Sequence, residues 1–201
     1  MRKYIFIVLL ALLGLSFIFL ESQRVTLFEF GQTDANDSAS VNQITLASGS
    51  EAAFNYLFVQ HTNICGLQPE FVLAYSDDAH LQGSCCSPMD LHRYQEQVEA
   101  LRQYAGITEI PQDPYDIPAS LVKELLGYQT NIELTSQQQT IYDEAMTLSD
   151  EGGPCCCRCW RWYAFEGMGK YLITQRGWSS QQLAELWGLT DGCGGEGHNH
   201  A

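Results

Sequence analysis

Positive charge is scarce in this chain. Ten Lys and Arg stand against 24 Asp and Glu, a formal charge of -14 over 201 residues. Duplex binding draws its affinity from neutralised phosphates, so this balance excludes a nucleic-acid partner and instead favours solubility and attraction for cations. Catalytic signatures are missing as well: the sequence has no phosphate-binding glycine loop, no nucleophile elbow and no zinc-protease motif. The acids at Asp77-Asp78, Asp143-Glu144 and Asp150-Glu151 read as solvated faces and helix ends, not as a separated general acid and base. No catalytic residue is assigned, and the balance leans away from an enzyme. Alternation at period two and internal repeats of fixed period are also lacking, which removes the usual signs of a sheet or a solenoid.

What is present begins with an uncharged run from Tyr4 to Leu20, preceded by Arg2 and Lys3. Such a run is an export or anchor signal rather than part of a fold, and its helical length of roughly 25 Å is slightly short of a hydrocarbon core. Leu20-Glu21-Ser22 is a poor cleavage site and no Cys lies nearby to receive a lipid. Residues 1–24 are therefore read as a signal anchor, or as a signal peptide if cut, in which case the rest is secreted. Positive charge before the run places the residues after it outside the cytoplasm, where disulfides form. Residues 25–47 include the polar stretch Gly31 to Ser40 and read as a flexible tether. Residues 48–201 are expected to form one Cys-rich helical domain.

Seven helix starts are expected in that domain. They are Ser48 with Glu51 as a capping box, Pro69, Ser87-Pro-Met-Asp90, Pro118, Thr135 with Gln138, Pro154, and Ser179 with Gln182. Leu91, Tyr94, Val98, Leu101 and Ala105 recur at helical spacing, as do Trp160, Tyr163, Ala164, Gly167 and Met168. The fold class is all-α, a single bundle-like domain, with the three-proline segment Ile110 to Pro118 running extended between its halves. Trp160, Trp162, Tyr163 and Trp178 read as core and anchor aromatics.

The eight cysteines fall at Cys65; Cys85 and Cys86; Cys155, Cys156, Cys157 and Cys159; and Cys193. With Pro154 as a first helical position, the third group would occupy opening helical turns, Cys156 would extend the buried stripe, and the helix N-terminus would favour the thiolate. Cys85 and Cys86 immediately before a cap at Ser87 would repeat that arrangement. Met89 and His92 then lie on the same side of their helix. Taken alone, Met89 is a gap-filler and His92 a solvated helix residue; beside the thiols they become candidate ligands. The tail adds His198 and His200 after Cys193.

Three readings of this constellation stay open. The first is a soft or borderline metal site, copper(I) or zinc, built from Cys85, Cys86, Met89, His92, Cys155, Cys156, Cys157 and Cys159, with Cys65, Cys193, His198 and His200 as further ligands or disulfide partners. The second is a structural or interaction domain stapled by disulfides, since the count is even and four cysteines could reach four others. The third is a thiol–disulfide redox protein using the Cys156/Cys159 pair, which lacks the βαβ context of such motifs. The metal site is the reading adopted, with the membrane, a metal ion and an envelope protein as expected partners.

The string Pro154-Cys-Cys-Cys-Arg-Cys159 fits P-C-x-C-x-C and resembles the signature of the PCYCGC-motif proteins, exported and often lipid-anchored bacterial proteins. Cys155, Cys157 and Cys159 match its three cysteines, while Cys156 and Arg158 replace its Tyr and Gly. The chain departs from that family in lacking a lipobox Cys and in continuing Trp160-Arg-Trp-Tyr163. The resemblance implies a Cys-rich protein of the bacterial envelope and supplies no mechanism.

Overall fold

A computed structural model of the chain describes residues 46–195. The expected signal anchor, most of the tether, and His198 and His200 lie outside the described residues. The described part is mostly helical. Its helices are α1 (Glu51–Phe58), α2 (Pro69–Leu73), α3 (Leu91–Leu101), α4 (Ala119–Asn131), α5 (Ser136–Leu148), α6 (Trp160–Arg176) and α7 (Ser180–Leu189). One turn of 3-10 helix, Arg102–Tyr104, extends α3. None of these helices is long and apolar enough to cross a membrane.

Several helices begin where their capping chemistry dictates. Thr135 and Ser179 each form a full capping box, with Gln138 and Gln182 respectively, which satisfies two orphan backbone donors at the starts of α5 and α7. Pro69 occupies the first turn of α2 and Pro118 directly precedes α4. Three expected starts move. α1 is capped by Ser50, whose side chain accepts from the Ala53 amide, while the Ser48 hydroxyl is drawn away to donate to the Asp113 carboxylate. α3 is capped by Asp90, whose carboxylate accepts from the Arg93 amide at 2.8 Å, and not by Ser87. α6 starts at Trp160 and not at Pro154, so residues 150–159 are an irregular segment.

The mostly helical architecture carries one short addition. The three-proline segment ends in a short strand, β2 (Asp116–Pro118), antiparallel to β1 (His80–Gln82), with Leu81 opposite Ile117. Both of those residues are fully buried. At three residues each, such strands show too little alternation to be read from a sequence.

α6 is the central element. It packs most extensively on α4, and Gly167 permits this closeness, since a Cβ there would sit 1.9 Å from the Leu125 carbonyl oxygen. α5 and α7 pair beside it, with Tyr142 set edge-on to Trp187 at 5.5 Å between ring centroids. The main core gathers Trp160, Phe165, Met168 and Leu172 of α6 with Val122 and Leu125 of α4, and it includes the Cys155 and Cys159 side chains. A smaller cluster holds Leu57, Met89, Tyr94, Val98 and Tyr115. The aromatic residues therefore lie as expected, with Trp160, Trp162 and Trp178 buried. On α3, Tyr94, Val98 and Leu101 are buried, whereas Ala105 is exposed beyond the helix end.

Candidate metal centre

Four loop segments meet in front of α6, and backbone hydrogen bonds hold each one. The first carries Cys65. Asn63, fully buried, donates from its backbone amide to the Gln82 carbonyl at 3.0 Å and from its side chain to the Gly83 carbonyl at 2.8 Å. Leu67 then accepts from the Trp160 amide at 2.8 Å, which fixes Cys65 against the first residue of α6.

The second and fourth segments run side by side. The Cys85 amide donates to the Gly192 carbonyl at 3.0 Å, the Ser87 amide to the Cys193 carbonyl at 2.8 Å, and the Gly195 amide to the Pro88 carbonyl at 2.8 Å. Gly194 makes this pairing possible: its φ is +78°, and a Cβ there would lie 2.1 Å from the Ser87 carbonyl oxygen. α3 pins the tail from the other side. Arg93 donates to the Gly194 carbonyl at 2.8 Å and pairs with Asp191 at 2.6 Å, and the Gln97 side chain donates to the Asp191 carbonyl at 2.8 Å. The third segment is Cys155–Cys159. Its entry is held by the Gly153 amide donating to the Ser149 hydroxyl at 2.6 Å, and its exit by the Cys159 amide donating to the Cys157 carbonyl at 2.9 Å.

These segments bring all eight thiols into one network. Cys65 and Cys157 sulfurs are 2.8 Å apart, Cys156 and Cys193 3.1 Å, Cys85 and Cys86 3.5 Å, Cys85 and Cys193 3.7 Å, and Cys86 and Cys156 3.8 Å. Cys159 joins through a hydrogen bond with Cys155. All eight are free thiols, with none at disulfide bonding distance. Within the network lie three groups of three sulfurs, each with its members within 4.8 Å of one another: Cys65, Cys86 and Cys157; Cys85, Cys86 and Cys193; Cys155, Cys156 and Cys157. Such groups could hold a metal ion. The set runs from core to solvent, from buried Cys155 and Cys159 to exposed Cys86 and Cys156.

The electrostatics reverse the sequence-based expectation of activated thiolates. Because the cysteines precede the helix instead of forming its first turns, only Cys159, at the N-cap, is favoured as thiolate by a first-turn amide, that of Arg161, and burial and crowding dominate. Burial pushes the Cys86 thiol up to about 11. For Cys155, the hydrogen bond with Cys159 favours ionisation but is outweighed by that with Cys193 and by burial, leaving it raised to about 12. Cys157 is raised by burial and by its contact with Cys65, and Cys159 by its contact with Cys155 and by burial. Thiols in this state are poor nucleophiles until a cation displaces their protons.

The other expected ligands are placed differently. Met89 is buried in the small cluster with Leu57 and Tyr94, which matches its gap-filling role. His92 is solvated, its side chain 81% exposed and paired with Glu96 at 3.1 Å, and it belongs to none of the three sulfur groups. The rotation follows from the cap: once α3 starts at Leu91, residues 85–89 are not helical and the assumed four- and seven-residue spacing from Cys85 has no meaning. Cys156 is exposed, so Cys155 and Cys159, not Cys156, face the core.

Arg161 was not legible as part of this region. It is fully buried, donates to the Thr190 carbonyl at 2.8 Å and the Pro114 carbonyl at 2.7 Å, and stacks against the Trp160 and Phe165 rings. Its Nε has no hydrogen-bond partner, and no carboxylate pairs with it among the described residues. Its charge acts on the Cys155 thiol, favouring the thiolate. The one signal for it was a cation flanked by two tryptophans.

No protein-family model matches the chain, and comparison with curated proteins and with solved structures found no similar protein.

Proposed function

We propose that this chain is a membrane-tethered protein facing the outside of the cell that binds a soft metal ion through thiolates, and that it buffers, delivers or senses that metal at the envelope. The observation that carries the reading is the convergence of eight free thiols from four separate loops. Crowding uncharged thiols gives little stabilisation of its own, whereas a thiophilic cation turns the same arrangement into a set of strong bonds. Two exposed cysteines at the solvent edge provide a way in and out for the ion. The uncharged run Tyr4 to Leu20 after Arg2 and Lys3 supports the tether and its orientation.

Copper(I) is favoured over zinc because each group offers three sulfurs, and structural zinc sites take four ligands. The test is metal content of the full chain purified without oxygen or chelator, compared with the Cys86→Ser/Cys157→Ser variant. The unsubstituted chain is expected to retain copper and the variant to lose most of it with helicity unchanged; equal metal content in both would defeat the proposal.

A further inference from the structure

The three sulfur groups are not independent. Cys86 belongs to the first and the second, and Cys157 to the first and the third, so seven different sulfurs fill nine ligand places. The second and third groups also touch, through Cys156 and Cys193 at 3.1 Å. The triads therefore form a closed assembly rather than a row. A single ion in any one triad would leave five of the eight thiols without a bond to it. Thiolate sulfur has lone pairs enough to join two soft cations, and closed-shell copper(I) accepts three thiolates where zinc requires four ligands.

Charge points the same way. Several thiolates around monovalent ions carry an excess of negative charge, which is costly in a partly buried site unless a cation offsets it. Arg161 is such a cation: fully buried, without a carboxylate partner among the described residues, and acting on Cys155. Gly192, beside Cys193, lies against its guanidinium, where a Cβ would be 2.4 Å from Nη2. The segment that carries Cys193 is thereby packed onto a buried positive charge that complements the cluster.

Resting on the soft-metal reading, we infer that the centre is polynuclear: three copper(I) ions share a thiolate cluster in which Cys86 and Cys157 each bridge two ions and Arg161 offsets part of the excess negative charge. The bridging residues distinguish this from three separate sites. Replacing Cys65, which belongs to one triad, removes one ion; replacing Cys86 or Cys157 removes two.

The experiment is anaerobic titration of the reduced full chain with copper(I) against a chromogenic copper(I) chelator, with X-ray absorption at the copper edge on the loaded protein. The unsubstituted chain, Cys65→Ser, Cys86→Ser and Cys157→Ser are compared, and circular dichroism checks the fold of each. All variants keep the tail histidines, so differences report on the thiols. The expected result is three equivalents for the unsubstituted chain with a short copper–copper vector, two for Cys65→Ser, and one for each bridging variant. One equivalent without a copper–copper vector overturns the cluster while leaving soft-metal binding intact. Equal losses in Cys65→Ser and Cys86→Ser overturn the bridging assignment. No copper bound by the reduced chain overturns both readings.

Discussion

At the scale of single residues, burial sorts the cysteines by task. Cys155 and Cys159 sit in the main core and anchor the loop, whereas Cys86 and Cys156 meet solvent. The raised thiol pKa values of Cys86 and Cys155 fix the sign of a pH effect. Cys86, near 11, and Cys155, near 12, hold their protons at neutral pH, so each must give one up when it binds a cation. Affinity for copper(I) should therefore rise with pH between 6 and 8, by about tenfold per pH unit for each proton released. Competition titrations at those two pH values, with proton release followed by a weakly buffered indicator, check this. The residue types were legible as thiol chemistry from the sequence, but which sulfur faces the core was not. That depended on Cys159 being the cap of α6, which makes residues 155–159 irregular and removes the helical face on which Cys156 seemed buried.

At the scale of elements, the caps and glycines give sharp contrasts. Asp90 caps α3 and Ser87 does not, so Asp90→Ala should lower stability by about 1 kcal/mol. Ser87→Ala should change it by no more than about 0.5 kcal/mol. Urea unfolding of the two variants distinguishes the start at Leu91 from the start the sequence implied. Two helical glycines should respond with opposite sign. In α6, Gly167→Ala drives a methyl into the Leu125 carbonyl and should destabilise by about 1–3 kcal/mol. In α7, exposed Gly188 has nothing within 4 Å of an added Cβ, so Gly188→Ala should stabilise by about 0.5–1 kcal/mol. Thermal unfolding of both shows the pair. The boxes Thr135 with Gln138 and Ser179 with Gln182 were readable because both halves lie within one turn and bond each other, which Ser48 and Glu51 do not. Ser48 and Ser87 were misread because distant partners, Asp113 and Cys193, claimed a side chain and a backbone amide that no local pattern reveals.

At the scale of the whole molecule, the sequence announced a mostly helical, Cys-rich domain, because helical periodicity and capping are local signals. The site was legible only as a set of cysteines. Its geometry depends on contacts between residues far apart in the chain: the Trp160 amide on Leu67, Asn63 on Gly83, and the tail at 192–195 laid along residues 85–88. None of these leaves a periodic trace, and the buried Arg161 behind them has no motif at all. The short β1–β2 ribbon escaped for the same reason, since its register is set by Leu81 and Ile117 meeting in the core.

The central claim is that the clustered thiols form a metal centre and not a set of structural bridges. It is tested most directly by counting metal and free thiols together in the full chain, exported to an oxidising compartment and purified without oxygen or chelator. The predicted result is bound copper, with most of the thiols reactive only after denaturation and chelation. A chain that carries no metal and no titratable thiol would contradict it and would make the cysteines disulfide staples.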